Sequence, residues 1–301
     1  QADLIIKVKE LQEPELSMTQ GGQMIYCFQH LAPDRALTER LLVTGASCIA
    51  YETVTDARGG LPLLAPMSRI AGRLAPQVGA WALQMANGGS GVLLGGVAGV
   101  PAGKVVVIGA GAVGANATQI AAGMGADVTV IDQNIERLAA LDALNHGRIK
   151  TLLSEPLSLA EAVEDADLVI GAALVPGKLA PRLITRDMLR QMRPGSVLVD
   201  VAIDQGGISE TSRPTSHTDP IYIEEGVVHY CVSNMPAAVA RTATLALTQA
   251  TLPQALLLAN LGLKEALAAE PGLRDGLQIH AGMVTHSGLA QELGLPCGTM
   301  P

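Results

Sequence analysis

Gly109, Gly111 and Gly114 have the spacing of a turn that binds the pyrophosphate of a dinucleotide. Gly109 ends the apolar run 104–109, and the glycines precede a segment with helical character, 115–123. Asp132 lies 18 residues beyond the last glycine (132 − 114 = 18), close to the ~20-residue spacing at which an acid binds the adenosine ribose. A carboxylate there also repels the 2′-phosphate of NADP. The pattern therefore favours an NAD site over a glycine turn that binds nothing.

Four further residues have side chains suited to proton transfer or anion binding. Asp204, within 199–207, and Asn234 each follow an expected strand, so both would lie at the edge where open α/β sheets bind ligands. Lys9 and His30 each follow an apolar run near the start of the chain, where a lysine could bind a carboxylate and a histidine could exchange protons. All four also have structural interpretations, as turn residues, an exposed cation and a hydrogen-bonded core histidine.

The elements that would position these residues alternate short β-branched runs with helical segments. Apolar strands separated by helices are typical of a parallel sheet covered on both faces, so we expect an α/β fold with a doubly wound parallel sheet. The expected strands of this sheet are 104–109, 127–132, 167–172, 196–201 and 227–232, with helical segments at 134–144 and 157–164. A second strand set is expected at 4–8, 24–28 and 48–51, with a helical segment at 36–42 and a mostly helical tail from 241 onward.

Composition excludes several classes of function. The 301 residues carry a net charge of −8 and are only 2% aromatic, which disfavours binding to nucleic acid or to an anionic membrane surface. The uncharged stretches 105–126 and 242–263 contain glycines or polar residues and Pro253, so we do not expect membrane spans. The four cysteines are far apart, and the histidines lack metal-ligand spacing, which predicts a reduced, cytoplasmic protein without a metal site.

The chain resembles the NAD-dependent alanine dehydrogenases over nearly its whole length. The related transhydrogenase α subunits share the layout but differ at the KVKE segment (7–10) and the IDQGG segment (203–207). The segments that carry the resemblance are 3–10 (DLIIKVKE), 30–32 (HLA), 49–54 (IAYETV), 61–68 (LPLLAPMS), 71–73 (AGR), 92–101, 199–207 (VDVAIDQGG) and 234–236 (NMP).

This resemblance implies a role for each matching residue. Lys9 would bind the substrate, and His30 and Asp204 would be the catalytic acid/base pair. Among the cofactor contacts, Asn234 and Met235 would line the nicotinamide end. The implied cofactor-binding residues are Ser68, Gly109, Gly111, Ala112, Val113, Gly114, Asp132, Arg137, Ser154, Ala173, Leu174, Val201, Arg213, Asn234 and Met235.

The resemblance also implies an architecture. It predicts two Rossmann-like domains with a cleft that closes over the substrate, and a homohexamer. We place a substrate domain at 1–62, the NAD-binding domain at 63–240 and a C-terminal helical part, which returns to the substrate domain, at 241–301.

The chain departs from the family pattern at several points. By this resemblance, family members begin several dozen residues earlier, and the preceding segment carries an arginine that clamps the substrate carboxylate. We therefore expect this chain to be N-terminally incomplete, and alanine oxidation to be absent or very slow until that segment is restored. At five positions this chain has a residue that differs from the one usual in the family: Leu11, Arg69, Leu179, Ala240 and Gln249. These changes bear on substrate preference and affinity.

The function that these residues and the resemblance favour is reversible NAD-dependent oxidative deamination of L-alanine to pyruvate and ammonia. Two alternatives remain. One is a transhydrogenase α-like NAD-binding subunit, against which the lysine of KVKE and the carboxylate of IDQGG argue. The other is a catalytically impaired NAD-binding protein that serves as a scaffold or sensor.

Overall fold

A computed structural model describes residues 2–173 and 179–301 of the chain and divides them into two compact units. The terminal unit comprises the described residues of 2–67 together with Leu179 and Arg241–Pro301. The central unit comprises the described residues of 68–173 together with Ala180–Ala240. The boundaries expected from the sequence were 62/63 and 240/241.

Each unit is built around one sheet, and the strands are numbered along the chain. The strands are β1 (Leu4–Ile6), β2 (Met24–Cys27), β3 (Ser47–Ala50), β4 (Lys104–Ile108), β5 (Asp127–Asp132), β6 (Lys150–Leu153), β7 (Leu168–Gly171), β8 (Val197–Asp200), β9 (Ile221–Glu224), β10 (Val227–Tyr230), β11 (Leu277–His280) and β12 (Met283–Val284).

Helices cover these sheets, and short 3₁₀ turns follow several strands. The helices are α1 (Glu13–Leu16), α2 (Arg35–Thr44), α3 (Ala65–Ala82), α4 (Ala112–Gly123), α5 (Ile135–Leu144), α6 (Pro156–Glu164), α7 (Arg186–Gln191), α8 (Ala240–Ala269, interrupted at Gly262), α9 (Gly272–Gly276) and α10 (Ser287–Leu293). The 3₁₀ turns are Tyr51–Thr53, Met85–Asn87, Ile203–Gln205 and Met235–Val239. In the described ranges, no helix is both long enough and apolar enough to span a membrane.

The central unit has a seven-stranded sheet with the order β6-β5-β4-β7-β8-β10-β9. Neighbouring strands are parallel except β9 and β10, which pair antiparallel. Within this sheet the first strand in sequence is β4, and the next two, β5 and β6, lie successively further out on one side of it. The chain then crosses to β7, which lies on the other side of β4. This reversal between β4 and β7 is the switch point at which doubly wound sheets bind ligands.

Alternate residues of the central strands face two separate hydrophobic cores. On β4, Val105 and Val107 pack on the side that includes Ala117 of α4. Val106 and Ile108 pack on the opposite side, which includes helix α6. Both faces of the sheet are therefore covered, and this explains why its central strands are continuous apolar runs without polar alternation.

The terminal unit has a five-stranded sheet with the order β1-β2-β3-β11-β12. Strands β1, β2 and β3 are parallel, and β11 and β12 extend the sheet antiparallel. One face packs on α2 and α10, through residues such as Ile25 and Leu41. The other face packs on α8, where Leu247 and Leu258 lie in one core with Tyr26.

The doubly wound fold is confirmed, and four strands (β6, β9, β11 and β12) and three helices (α1, α3 and α7) lie outside the sequence expectations. Strands β6 and β9 are edge strands with largely accessible residues, so neither forms a buried apolar run. The tail was expected to be mostly helical, but it also contributes β11 and β12. Helix α3 was not expected from the sequence, and small residues serve its packing. A Cβ at Gly72 would clash with the Val113 carbonyl, and one at Gly79 would lie 2.6 Å from the Leu168 side chain.

Candidate active site

The expected cofactor residues of the central unit lie where its parallel strands end. Carboxyl ends of parallel strands share one edge of a sheet, so residues that are far apart in sequence are gathered there. The glycine turn follows β4, Asp132 ends β5 and Ser154 follows β6. On the other side of the switch point, Ala173 follows β7, Val201 and Asp204 follow β8, and Asn234 follows β10.

The glycine turn has the backbone that its sequence predicts. Gly109 has φ +105°, a conformation that L side chains rarely adopt. A Cβ at Gly114 would clash with the carbonyl oxygen of Gly109, so this glycine allows helix α4 to pack tightly on the turn. Gly111 is the residue that precedes α4, and a Cβ built there meets no heavy atom within 4 Å.

These residues fit the pyrophosphate of a dinucleotide. The first N–H groups of a helix have no partner within the helix, and Gly111 provides no side-chain cap for α4. The backbone N–H groups of Ala112, Val113 and Gly114 therefore lie at an uncapped helix N-terminus, where an anion is favoured. The space beside Gly111 allows a phosphate to approach the backbone closely.

Asp132 connects the end of β5 to the glycine turn. Its Oδ2 accepts the Ala110 N–H at 2.6 Å, and its Oδ1 accepts the Asn134 N–H at 2.8 Å. The Ser154 N–H donates to the Asp132 carbonyl at 3.0 Å, which places another expected cofactor residue beside the expected ribose contact. Arg137 lies on the first turn of α5 and is exposed.

Asp204 and Asn234 are brought together by the turns after β8 and β10. Asp204 lies in the 3₁₀ turn Ile203–Gln205, and its Oδ2 accepts the Asn234 backbone N–H at 3.2 Å. Asn234 has a left-handed backbone with φ 56° and ψ 50°, which asparagine tolerates better than most residues. Met235 is buried directly after it.

Asp200 was not singled out from the sequence, although it lies within the segment 199–207. It is fully buried at the end of β8 and accepts hydrogen bonds from the N–H groups of Ala202 at 3.1 Å and Ile208 at 2.8 Å. The Ser212 hydroxyl donates to it at 2.6 Å. Burial raises the pKa of the Asp200 carboxyl, and the hydrogen bonds that it accepts offset part of the rise. Asp200 therefore ties together both ends of the loop that carries Asp204.

Three other expected cofactor residues are Arg213, Ser68 and Leu174. The guanidinium of Arg213 lies over the Tyr222 ring, 3.8 Å from its centroid, in a cation–π contact. Ser68 lies on the first turn of α3. Leu174 lies outside the described residues.

In the terminal unit, Lys9 and His30 meet at one carboxylate that sequence reasoning had passed over. His30 Nδ1 lies 3.2 Å from Glu10 Oε2, and Lys9 Nζ lies 3.6 Å from the same oxygen. Burial alone would raise the pKa of Glu10, but the hydrogen bond from His30 and the charge of Lys9 outweigh it, and the pKa falls to about 2. In the sequence, Glu10 is the glutamate that ends the KVKE segment.

The ionised Glu10 determines which ring nitrogen of His30 carries a proton. A carboxylate only accepts hydrogen bonds, so Nδ1 is the protonated nitrogen and Nε2 is the basic nitrogen of the neutral ring. The arrangement of carboxylate, imidazole and neighbouring ammonium suits proton transfer next to a bound anion. Within the described ranges, no group of three or more His, Cys, Asp or Glu side chains could hold a metal ion.

Comparisons with known proteins show the family of this chain. Residues 1–71 match the family described as alanine dehydrogenase/PNT, N-terminal domain, and residues 75–287 match its C-terminal domain. An alanine dehydrogenase of Halomonas elongata is 56% identical over 294 residues, which are 98% of this chain and 79% of the relative.

Two solved structures show the same fold. An L-alanine dehydrogenase superposes with a TM-score of 0.89 at 49% identity, covering 97% of this chain and 81% of that one. A transhydrogenase from Sinorhizobium meliloti gives a TM-score of 0.73 at 27% identity, covering 95% of this chain and 80% of that one. Family profiles that together span most of the chain, and identities above half, show that this chain belongs to the alanine dehydrogenase/PNT family.

Proposed function

We propose that the protein is an alanine dehydrogenase, which catalyses the reversible reaction of L-alanine, NAD⁺ and water to pyruvate, ammonium, NADH and a proton. The observation that carries the proposal is the contact between Asp204 and Asn234, which fixes a carboxylate at the same sheet edge as the glycine turn. Identity of 56% to an alanine dehydrogenase supports the choice of substrate.

In this proposal the terminal unit provides substrate binding and one proton-transfer group. Lys9 binds the substrate carboxylate or carbonyl oxygen as a point charge. His30, with its tautomer set by Glu10, takes a proton from the attacking water and returns one to the departing ammonia.

The central unit provides the cofactor site and the second proton-transfer group. A bound NAD⁺ would supply the hydride acceptor for the hydrogen on Cα of alanine. Gly111 and the start of α4 hold the pyrophosphate, and Asp132 binds the adenosine ribose. Asp204 exchanges protons with the substrate nitrogen and with water during formation and hydrolysis of the imine. The further cofactor contacts are Ser68, Arg137, Ser154, Ala173, Leu174, Val201, Arg213, Asn234 and Met235.

We further propose a cytoplasmic homohexamer whose ligands are small molecules, with no nucleic acid or membrane partner. Its role is L-alanine catabolism. The similarity to alanine dehydrogenases supports these assignments.

A transhydrogenase-like subunit is the second candidate, favoured by the structural likeness to the transhydrogenase at 27% identity. The two functions differ in their need for alanine. Formation of NADH from L-alanine and NAD⁺, with pyruvate and ammonium in equal amounts, supports the dehydrogenase. Hydride transfer between two nucleotides without alanine supports the transhydrogenase. NADH binding without either reaction supports the catalytically impaired protein.

A further inference from the structure

The three parallel strands of the terminal sheet each lead to a charged or titratable residue. Lys9 follows β1, His30 follows β2, and Glu52 lies in the 3₁₀ turn directly after β3. Because β1, β2 and β3 are parallel, these residues follow the same edge of the sheet. The proposed function uses the first two and leaves Glu52 without a role.

The Glu52 carboxylate accepts two successive backbone N–H groups at the end of β2. Oε1 accepts the His30 N–H at 2.7 Å and the Gln29 N–H at 3.1 Å, and Oε2 lies 3.2 Å from the Gln29 nitrogen. Successive N–H groups directed at one anion form a concave binding arrangement that holds the backbone in place. Hydrogen bonds to an ionised acceptor are stronger than those to a neutral one.

The backbone that Glu52 holds is an unusual one. His30 has φ 46°, in the left-handed region that a residue with a Cβ rarely adopts. This backbone sets the direction in which the imidazole leaves the chain. A disfavoured conformation persists only where surrounding contacts enforce it. The Glu52 carboxylate provides such a contact at the His30 nitrogen itself.

The carboxylate is itself placed rigidly, because both of its neighbours are anchored. Tyr51 is buried, with its ring edge-on to Tyr26 at a centroid distance of 4.4 Å. The Thr53 hydroxyl accepts a hydrogen bond of 2.7 Å from the buried Gln278 side chain of β11. Glu52 therefore projects from a fixed turn.

We propose that Glu52 is a positioning residue for His30: it holds the left-handed backbone that directs the imidazole, while Glu10 sets the tautomer. This role rests on the proposed function only in that His30 is the proton-transfer group. Glu52 itself touches neither the substrate nor the reacting atoms.

Three substitutions separate hydrogen-bond acceptance from charge and from bulk. In Glu52→Gln, the amide oxygen can still accept both N–H groups, because Oε1 alone accepts both in the structure. In Glu52→Asp, the charge remains but the acceptor is one methylene short. Glu52→Ala removes the acceptor. Glu39→Gln, an exposed glutamate on α2 that pairs with Arg35, is the matched control.

We expect kcat to fall about 100-fold in Glu52→Ala and in Glu52→Asp, because misplacement of a catalytic group by ~1 Å costs about that much. Glu52→Gln should stay within about fivefold of wild type, and the NADH dissociation constant should stay within about twofold in all variants. All rates are given per folded molecule. Turnover of Glu52→Ala within twofold of wild type would overturn the proposal, as would an Asp variant at least as active as the Gln variant. The Asp and Gln comparison decides the question if the Ala variant does not fold.

Hydrogen–deuterium exchange of the His30 amide gives a readout that is independent of activity. Exchange should be faster in Glu52→Asp than in wild type and close to wild type in Glu52→Gln. Equal protection of the His30 amide in both variants would contradict the proposal that Glu52 holds the His30 backbone. If the wild-type protein does not oxidise alanine, the proposed function fails, but the exchange rates still decide whether Glu52 holds the His30 backbone.

Discussion

The Oδ2 atom of Asp204 lies 3.2 Å from the backbone nitrogen of Asn234 and accepts its N–H. The two residues are 30 positions apart in sequence, on the turns that follow the neighbouring strands β8 and β10. This hydrogen bond fixes the carboxylate at the sheet edge, and a proton-transfer group must be held within hydrogen-bonding reach of its substrate.

Asp204→Asn should lower turnover by about 10²–10⁴-fold, because an amide cannot act as a general acid or base. The amide oxygen can still accept the Asn234 N–H, so NADH affinity and melting temperature should change little. The control is Asp187→Asn, whose side chain is 86% exposed. An Asp204→Asn enzyme with normal kcat would return this residue to the role of a turn aspartate.

Gly111→Ala should weaken NADH binding without destabilising the fold. The added Cβ meets no protein atom within 4 Å, and the φ of −73° at this position is open to alanine. The methyl group would occupy the space that the pyrophosphate needs. Gly123→Ala, at the other end of α4 and also in open space, is the matched control and should leave NADH affinity unchanged. Calorimetric titration with NADH on both variants checks this, and equal affinities would mean that the pyrophosphate does not bind at the turn.

Asp132→Ser should narrow the preference for NADH over NADPH, because it removes the charge that repels a 2′-phosphate. It should also weaken NADH binding, since the carboxylate holds the Ala110 N–H at 2.6 Å and would bind the ribose. Dissociation constants for the two nucleotides measure both effects. Wild-type protein that binds NADPH as tightly as NADH would show that Asp132 does not select the cofactor.

His30→Ala should abolish most turnover, by about 10²–10⁴-fold, with NADH affinity preserved. His280→Ala provides the contrast, since His280 makes a hydrogen bond of 2.9 Å to Ser47 and has no assigned catalytic role. Its loss should lower the melting temperature and leave turnover per folded molecule intact. The account of His30 is wrong if its alanine variant behaves like that of His280.

Glu10→Gln should make stability less sensitive to acid. The pKa of Glu10 is about 2 in the folded protein, below its ordinary value of 4.5. Its ionised form therefore stabilises the fold above pH ~4.5, and this contribution is lost as the pH falls toward 2. Urea unfolding at pH 6 and pH 3 should show a smaller loss for Glu10→Gln than for wild type. Identical losses would mean that Glu10 is not paired with Lys9 and His30.

The sequence predicted the parts of the fold whose place in the structure leaves a local pattern in the sequence. The buried parallel strands β4, β5, β7 and β8 read as apolar runs because helices cover both of their faces. The glycine turn was readable because a tight turn and a close helix approach each require the absence of a side chain. The edge strands β6 and β9 were missed because exposed strands have no such run.

The carboxylates that support the site were harder to predict. Glu10 and Glu52 lie in segments that carry the family resemblance, but their partners His30 and Gln29 come from the turn after another strand. Such contacts depend on which strands become neighbours, and no local spacing encodes them. Asp200 also reads as an ordinary strand-end aspartate until its full burial is known.

The measurement that tests the central claim most directly follows the hydrogen on Cα of alanine. L-Alanine deuterated at Cα is incubated with NAD⁺ and the protein, and the nicotinamide ring, pyruvate and ammonium are quantified together. The account predicts one deuterium on the reduced nicotinamide for each pyruvate and each ammonium formed, and almost no transfer in Asp204→Asn or His30→Ala. Bound NADH with no deuterium transfer from alanine, or hydride exchange between nucleotides that needs no alanine, would contradict it.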